Sequence, residues 1–390
     1  MISNPFSDQI AIPCTIYRGG TSKAIFIKRN HLPKDPTLRD KIVLAIFGSP
    51  DPRQIDGLGG ADPLTSKLAV IGPPTREDAD VDYTFAQVGV DIPVVDWKGN
   101  CGNISAAVGP YAIEEGFVEA KEPVTVVRIH QTNMKRIIIA EVPVKNGRPK
   151  VEGDYQIDGV PGKGAKIVLD FHDFAGSTTG KLLPTGNPVD EIEIEGLRAE
   201  VSIVDIANPV VFVSAKDLGL KGTESPKEID TNQEVLAKAE KIRGKVAELL
   251  GLVDNWREAR VKSPYIPFLA IISPPQDYQS WTTGKSVRSS DIDITARVIF
   301  MGVTHKTYPV TGTIPTGVAA KIPDTIVSRE SSPEVHKKLE VRIGHPAGII
   351  TTEVSVERKD SDFVVKRATV GRTARRIMEG YVYIPLSKLR

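Results

Sequence analysis

Cysteine is scarce in this chain: two residues in 390, Cys14 and Cys101. Two thiols do not make a disulfide framework, and neither has partners at metal-ligand spacing. His31, His130, His172 and His336 show no such spacing either, so no metal is expected. A surplus of either charge is also missing. Fifty Lys and Arg face 49 Asp and Glu, a formal net charge of +1. That balance gives no reason to expect nucleic acid or an acidic membrane surface as partner. The basic residues near Lys262 and from Lys285 to Arg297 are interleaved with acidic and polar ones, as on a solvated face. No apolar run approaches the ~18 residues of a membrane span. The leading Met1-Ile-Ser-Asn-Pro-Phe-Ser-Asp lacks the basic and apolar regions of a signal peptide. A soluble protein of the reducing cytoplasm is expected. There is no Walker loop, and no Gly-x-Gly-x-x-Gly unit where a nucleotide would need it.

What is present is an ordinary globular composition, 40% hydrophobic and 25% charged. The length exceeds one ordinary core and suits two domains. Ile12 to Ile27 reads as two strands around a Gly-Gly turn, and Thr37 to Phe47 as a helix. Leu68 to Ile71 and Asp80 to Val88 read as strands, and Pro123 to Val144 as a hairpin. Asp170 to Asp190 is turn-rich and aperiodic, the candidate connection between domains. The boundary is set at 183, giving domains 1–183 and 184–390, with the extreme C-terminus crossing back to the first.

The second half repeats the first in order. Val204-Asp-Ile-Ala-Asn208-Pro answers Arg18-Gly-Gly-Thr-Ser22-Lys. The helical pattern from Glu234 to Leu250 answers Thr37 to Phe47. Phe268-Leu-Ala-Ile-Ile answers Lys67-Leu-Ala-Val-Ile, and Asp291 to Val298 answers Val81 to Val88. Thr311-Gly-Thr-Ile-Pro-Thr-Gly answers the segment around Cys101, with Cys101 opposite Ile314. Glu340-Val-Arg-Ile-Gly-His answers Val126-Val-Arg-Ile-His-Gln. Six matches in register order point to two copies of one α+β unit. Two facing copies would aim two helix N-termini at one cleft, a cradle for a substrate with several carboxylates.

Two glycine-rich turns carry the reactive side chains. Gly59-Gly60-Ala-Asp-Pro-Leu-Thr-Ser66-Lys67 sets Lys67 at the head of a strand. Gly99-Asn-Cys101-Gly102-Asn103-Ile-Ser-Ala-Ala-Val sets Cys101 ahead of an apolar helix, where free N–H groups and the helix dipole favour an anion. A lysine base, a thiol and an anion cradle suit proton transfer on a carboxylate-bearing substrate.

Arg18-Gly-Gly-Thr-Ser-Lys, the run ending Thr-Ser-Lys67, and Gly-Asn-Cys101-Gly-Asn-x-Ser-Ala-Ala-Val-Gly-Pro occur in that order. The chain thereby resembles the PrpF family of isomerases, from about Ile12 to the region of His345. The family includes 2-methylaconitate cis-trans isomerase, methylitaconate isomerase, 4-oxalomesaconate tautomerase and aconitate isomerase. The resemblance implies two pseudo-equivalent diaminopimelate-epimerase-like domains, each a curved sheet or barrel around a central helix, with the active site in the cleft between them. It implies cofactor-free proton shuttling on an unsaturated di- or tricarboxylate.

Within that frame Lys67 is the candidate base, and Cys101 is its partner acid or a donor to the substrate. Arg18, Gly19, Gly20, Thr21 and Ser22 form a candidate carboxylate clamp. Amides near Gly102 and Asn103, and near Thr316 and Gly317, would hold developing charge. Ser66 binds substrate or caps a turn, Asn208 donates to substrate or makes an Asx turn, and His305 lines the site or is structural. A racemase of this type uses a cysteine from each half, and the second half has none at the matching position. Proton movement between carbons is therefore favoured over inversion at one carbon. The alternatives are a cofactor-independent racemase or epimerase and a non-catalytic polycarboxylate-binding protein. A homodimer is the expected assembly.

Overall fold

The computed structural model describes residues 2–3, 8–360 and 362–389, so most of the leading segment read above for a signal peptide lies outside the described residues. The chain divides into two compact units. One comprises Met1–Gln156, Gly162–Leu169 and Arg372–Arg390, the other Ile157–Pro161 and Asp170–Gly371. This division differs from the one placed at 183. The turns after Asp170 are tied into the second unit: Gly176 N–H donates to Asp205 C=O and Asp205 N–H to Leu182 C=O.

The first unit begins with a hairpin of β1 (Gln9–Gly19) and β2 (Ser22–Lys28), closed by a Gly19–Ser22 pair with Gly20 at φ +50°. After α1 (Pro36–Phe47), β3 (Lys67–Gly72) lies parallel to β2, with Lys67 opposite Ala24. Antiparallel to β3 runs β4 (Val81–Val88), with Gln87 opposite Lys67. Then come α2 (Gly102–Glu114), β5 (Val124–Gln131) parallel to β4, and β6 (Arg136–Lys145) antiparallel to β5.

The two helices do different work. Asp35 caps α1 by accepting from Leu38 N–H at 2.7 Å, Pro36 fills the first helical position, and Gly48 in the left-handed region ends it. Its Ile42, Val43, Ile46 and Phe47 pack on Ile25, Ile27, Leu68 and Val70 of the sheet. Apart from Glu114, every residue of α2 is buried. A helix apolar all round has no solvent face and must sit inside its sheet.

The second unit uses the same order. A hairpin of β8 (Leu197–Ile206) and β9 (Asn208–Ser214) turns at Ala207 (φ +63°), with β7 (Asp190–Ile194) antiparallel to β8. After α3 (Gln233–Leu249), β10 (Phe268–Ser273) runs parallel to β9, with Phe268 opposite Val210. β11 (Ile294–Phe300) is antiparallel to β10. Then follow α4 (Val310–Lys321), β12 (Glu340–His345) parallel to β11, and the antiparallel β13 (Gly348–Lys359) and β14 (Asp362–Arg372). All of α4 but Lys321 is buried. After β14 the chain enters the first unit as β15 (Ala374–Pro385), antiparallel to β1.

Strand directions agree copy for copy, and details repeat at the level of single bonds. Asp80 N–H donates to Arg128 C=O (2.8 Å) and Arg128 N–H returns to Asp80 Oδ2 (2.7 Å). Asp293 and Arg342 make the same exchange at 2.7 and 2.8 Å.

Two registers read from sequence are corrected. Val81 pairs with Ile129 as Ile294 pairs with Ile343, so the copy of Val81 is Ile294 rather than Asp291. The helix caps are Cys101 and Pro309, so Cys101 corresponds to Pro309 and not to Ile314. Ser105 Oγ donates back to Cys101 C=O, and Thr313 Oγ1 to Pro309 C=O, each at 3.0 Å. Eight residues into each helix stands a glycine that lets a sheet close in. A Cβ on Gly109 would sit 2.7 Å from Val142, and one on Gly317 would sit 2.5 Å from Thr352. Strands and helices buried on every side offer no amphipathic phase to fix such alignments.

Candidate active site

Lys67 is the first residue of β3, and its neighbours bury it almost completely. Nζ donates to Gln87 Oε1 at 2.5 Å and lies 5.5 Å from the centre of the Phe85 ring. Burial drives its pKa below the ordinary lysine value; the charges of Cys101 and Asp62 push it up and are outweighed. Burial thus favours the neutral amine, the form a general base requires.

The loop before it is stapled from within. Buried Gln54 accepts from Ala61 N–H (2.7 Å) and Ser66 Oγ (2.9 Å) and donates to Ser49 Oγ (3.0 Å). The Ser66 hydroxyl thus serves the loop that delivers Lys67. Gln87 Nε2 completes the clamp through the carbonyls of Pro63 and Ser66, both at 3.0 Å.

Cys101, a buried free thiol, occupies the N-cap position of α2, and its side chain makes no cap hydrogen bond. Ser105 N–H is bonded to Cys101 C=O at 2.9 Å, so the preceding N–H groups, Gly102 and Asn103 among them, have no acceptor inside the helix. Their dipole end faces the tip of the first hairpin. Asn103 Oδ1 accepts from Thr21 N–H (3.4 Å) and Asn103 Nδ2 donates to Thr21 Oγ1 (3.2 Å). A Cβ on Gly19 would strike the Asn103 carbonyl, and one on Gly20 the Asn103 amide, which is why this tip is Gly-Gly. Ser22 Oγ is buried there with no hydrogen-bond partner among the described residues. A buried hydroxyl left so is costly, and a bound substrate oxygen would satisfy it.

Arg18 lies at the same turn. Its Nη1 donates to the carbonyls of Gly20 and Thr373, both at 2.9 Å, and so braces the turn. A cation bonded at the helix end is one the sequence reading missed. Arg372 is buried, its Nε donates to Asn103 Oδ1 at 3.0 Å, and burial pushes its pKa down to about 10. Nothing in the local pattern marks it, because 269 positions separate it from Asn103. Gln87 did carry a signal: it is the polar member of the buried stretch Phe85-Ala86-Gln87-Val88.

In the second unit, α4 starts at Val310, so the amides expected near Thr316 and Gly317 lie past its first turn. The first turn is Val310 to Thr313, buried throughout, and its Gly312 and Thr313 N–H groups donate to Pro309 C=O at 2.9 and 2.8 Å. Thr316 Oγ1 instead donates to Gly312 C=O (2.7 Å) and meets the Tyr308 hydroxyl at 2.9 Å. Asn208 is buried as the first residue of β9, the position of Ser22 in the first copy. His305 is buried against the Phe300 ring (5.3 Å) and accepts from Thr307 N–H at 3.1 Å. Among the described residues, no three His, Cys, Asp or Glu side chains gather so as to hold a metal ion, and no helix is long and apolar enough to cross a membrane.

The family model described as "PrpF protein" matches residues 9–385. The chain is 54% identical over 383 residues to the 3-methylitaconate isomerase of Eubacterium barkeri, covering 98% of this chain and 100% of the relative. It is 37% identical over 399 residues to a 2-methyl-aconitate isomerase of Shewanella oneidensis, covering 99% and 100%. The crystal structure of a methylitaconate-delta-isomerase superposes with a TM-score of 0.79 at 54% identity, over 98% of each chain. A hydroxyproline epimerase from Agrobacterium vitis superposes with a TM-score of 0.56 at 11% identity, over 97% of this chain and 92% of its own. That last likeness establishes a shared epimerase-type α+β fold.

Proposed function

The chain belongs to the PrpF family, and from that premise we propose that it is a cofactor-independent isomerase of an unsaturated di- or tricarboxylate. The substrate is of the 2-methylaconitate, methylitaconate or aconitate kind, and Lys67 is the base. The observation that carries this reading is the buried Lys67 amine, held by a neutral amide and close to Cys101 at the N-cap position of α2.

The chemistry follows from the groups at hand. A C–H next to the double bond is acidic because the carbanion left behind spreads into a conjugated carboxylate. Neutral Lys67 takes that proton. The charge that develops on the carboxylate is met by the N–H groups of Gly102 and Asn103 at the helix end and by the Ser22 hydroxyl. The proton returns at the far carbon of the allyl system, or at the original carbon after bond rotation, from Lys67 or from Cys101. Arg372 adds positive charge beside Asn103 and favours a carboxylate there.

Inversion at a single carbon by paired thiols fits less well, since the residue answering Cys101 in the second copy is Pro309. Both cysteines are free thiols, in keeping with the reducing cytoplasm in which we place the enzyme. A homodimer is part of the same reading, and light scattering on the purified protein reads it directly.

The test is proton NMR in D2O with trans-aconitate, 2-methylaconitate, itaconate derivatives and 4-oxalomesaconate, for wild type and Lys67→Ala. Deuterium entering an allylic position together with a new isomer, in wild type alone, is the expected result. Saturable binding with no exchange would replace this reading with a polycarboxylate-binding protein. Exchange at one chiral centre without double-bond movement would replace it with a racemase.

A further inference from the structure

We infer that Gln87 is a positioning residue for the isomerisation: its side-chain carbonyl, locked in orientation by its own amide nitrogen, fixes the Lys67 amine through an uncharged contact. The inference rests on the reading of Lys67 as base. Gln87 is fully buried and stands directly opposite Lys67 in the β3–β4 ladder. Its Nε2 faces two carbonyls, Pro63 and Ser66, each at 3.0 Å. Only an N–H donor can face two carbonyl oxygens, so the amide cannot flip, and Oε1 must point at Lys67 Nζ, 2.5 Å away.

Neutrality is the functional point. An amide oxygen accepts from an amine and from an ammonium alike, so the contact survives proton uptake and release. A carboxylate at the same place would hold the lysine as an ammonium and silence the base. Other groups facing Lys67 include the Phe85 ring from β4, Asp62 from the loop before β3, and Cys101 from the cap of α2. Asp62 and Cys101 already favour the charged form. A carboxylate at position 87 would add to them.

The duplication shows that the fold does not demand this amide. In the second copy the register Leu269–Ile299 sets Phe268 opposite Phe300, with ring centres 5.8 Å apart. The ladder is built there from two phenylalanines. Lysine and glutamine occur together in one copy and are absent together from the other, as expected of a pair that acts as a unit.

The experiment follows kcat and KM against pH for wild type, Gln87→Glu, Gln87→Met and Lys67→Ala. It uses whichever acid of the panel the wild type turns over, with thermal melts of each variant. A base must be deprotonated, so kcat/KM rises with pH through the Lys67 titration. Gln87→Glu stabilises the ammonium and is expected to move that acid limb up by about 1–3 pH units, with turnover recovering at high pH and KM within about twofold. Gln87→Met removes the orienting contact without adding charge. It is expected to lower kcat roughly tenfold or more while the limb stays at or below the wild-type position. A well-folded Gln87→Glu whose limb coincides with wild type overturns the inference. Should Gln87→Glu fail to fold, Gln87→Met decides through kcat: an undiminished kcat overturns it. Wild-type exchange by Lys67→Ala defeats the base itself, whereas an inactive Lys67→Ala beside wild-type behaviour of both Gln87 variants defeats only the role of Gln87.

Discussion

The two units share strand order, strand direction and even the Asp–Arg backbone exchange, yet they diverge at three corresponding positions. Lys67, Gln87 and Cys101 in the first copy are answered by Phe268, Phe300 and Pro309 in the second. The polar trio became an aromatic pair and a residue without a side-chain donor. The architecture is therefore indifferent to what stands at the head of the third strand, provided it is buried. The first copy accepts a buried amine, with the desolvation that implies, and supports it with a locked amide. The second fills the same space with rings that add stability and offer no proton transfer. Reactive groups and packing groups have been sorted between copies of one scaffold.

That contrast breaks first at Lys67. Lys67→Ala is expected to lower kcat by about 10²–10⁴-fold, the usual worth of a positioned general base, read as D2O wash-in per folded enzyme. The matched truncation, Phe268→Ala, should do the reverse. It is expected to cost about 3–5 kcal/mol of stability, read by denaturant melts, while the pH profile of the remaining folded enzyme stays where it was. A pH profile that moved in Phe268→Ala would mean that the second copy tunes the base after all.

The repeat was legible in the sequence because the turns, strands and helical segments, including those around Lys67 and Cys101, are answered in order, although the lysine and the thiol themselves are not repeated. Its exact registers were not. β11 is buried on both faces and α4 on nearly all sides, so neither shows an alternation that fixes the phase. The slips were three residues in one strand and five in one helix. The second put the expected anion cradle at Thr316 and Gly317, past the first turn of α4. Within the site, Lys67, Cys101 and the Gly-Gly turn were visible as motifs. Gln54 and Arg372 were not, since a polar residue that staples a loop or arrives from a distant strand leaves no local pattern. That Arg18 Nη1 also braces the turn carbonyls of Gly20 and Thr373 was not legible, since Thr373 is 355 positions away.

A smaller contrast sharpens the structural equivalence. Gly109 and Gly317 occupy the same helical position and meet the corresponding strand of each sheet. Gly109→Ala and Gly317→Ala should each cost about 1–3 kcal/mol through overpacking, in excess of any gain in helix propensity. The neighbours are Val142 in one and Thr352 in the other, so similar losses in chemical melts would support the common register. A loss at one site only would mean that the two helix–sheet distances are not equivalent.

The smallest effect concerns the outer helices, and it isolates capping from packing. Asp35 accepts from Leu38 N–H at 2.7 Å at the start of α1, and Asn232 from Val235 N–H at 3.1 Å at the start of α3. Both side chains satisfy a first-turn donor and neither belongs to the site. Alanine at each should cost about 1 kcal/mol, within the range seen for cap removal. Asp35 also carries a negative charge at the positive end of a helix dipole, and Asn232 does not. Asp35→Ala should therefore lose a few tenths of a kcal/mol more at low ionic strength, and the difference should shrink as salt is added. If salt leaves the two losses unequal, hydrogen-bond geometry separates the caps rather than charge.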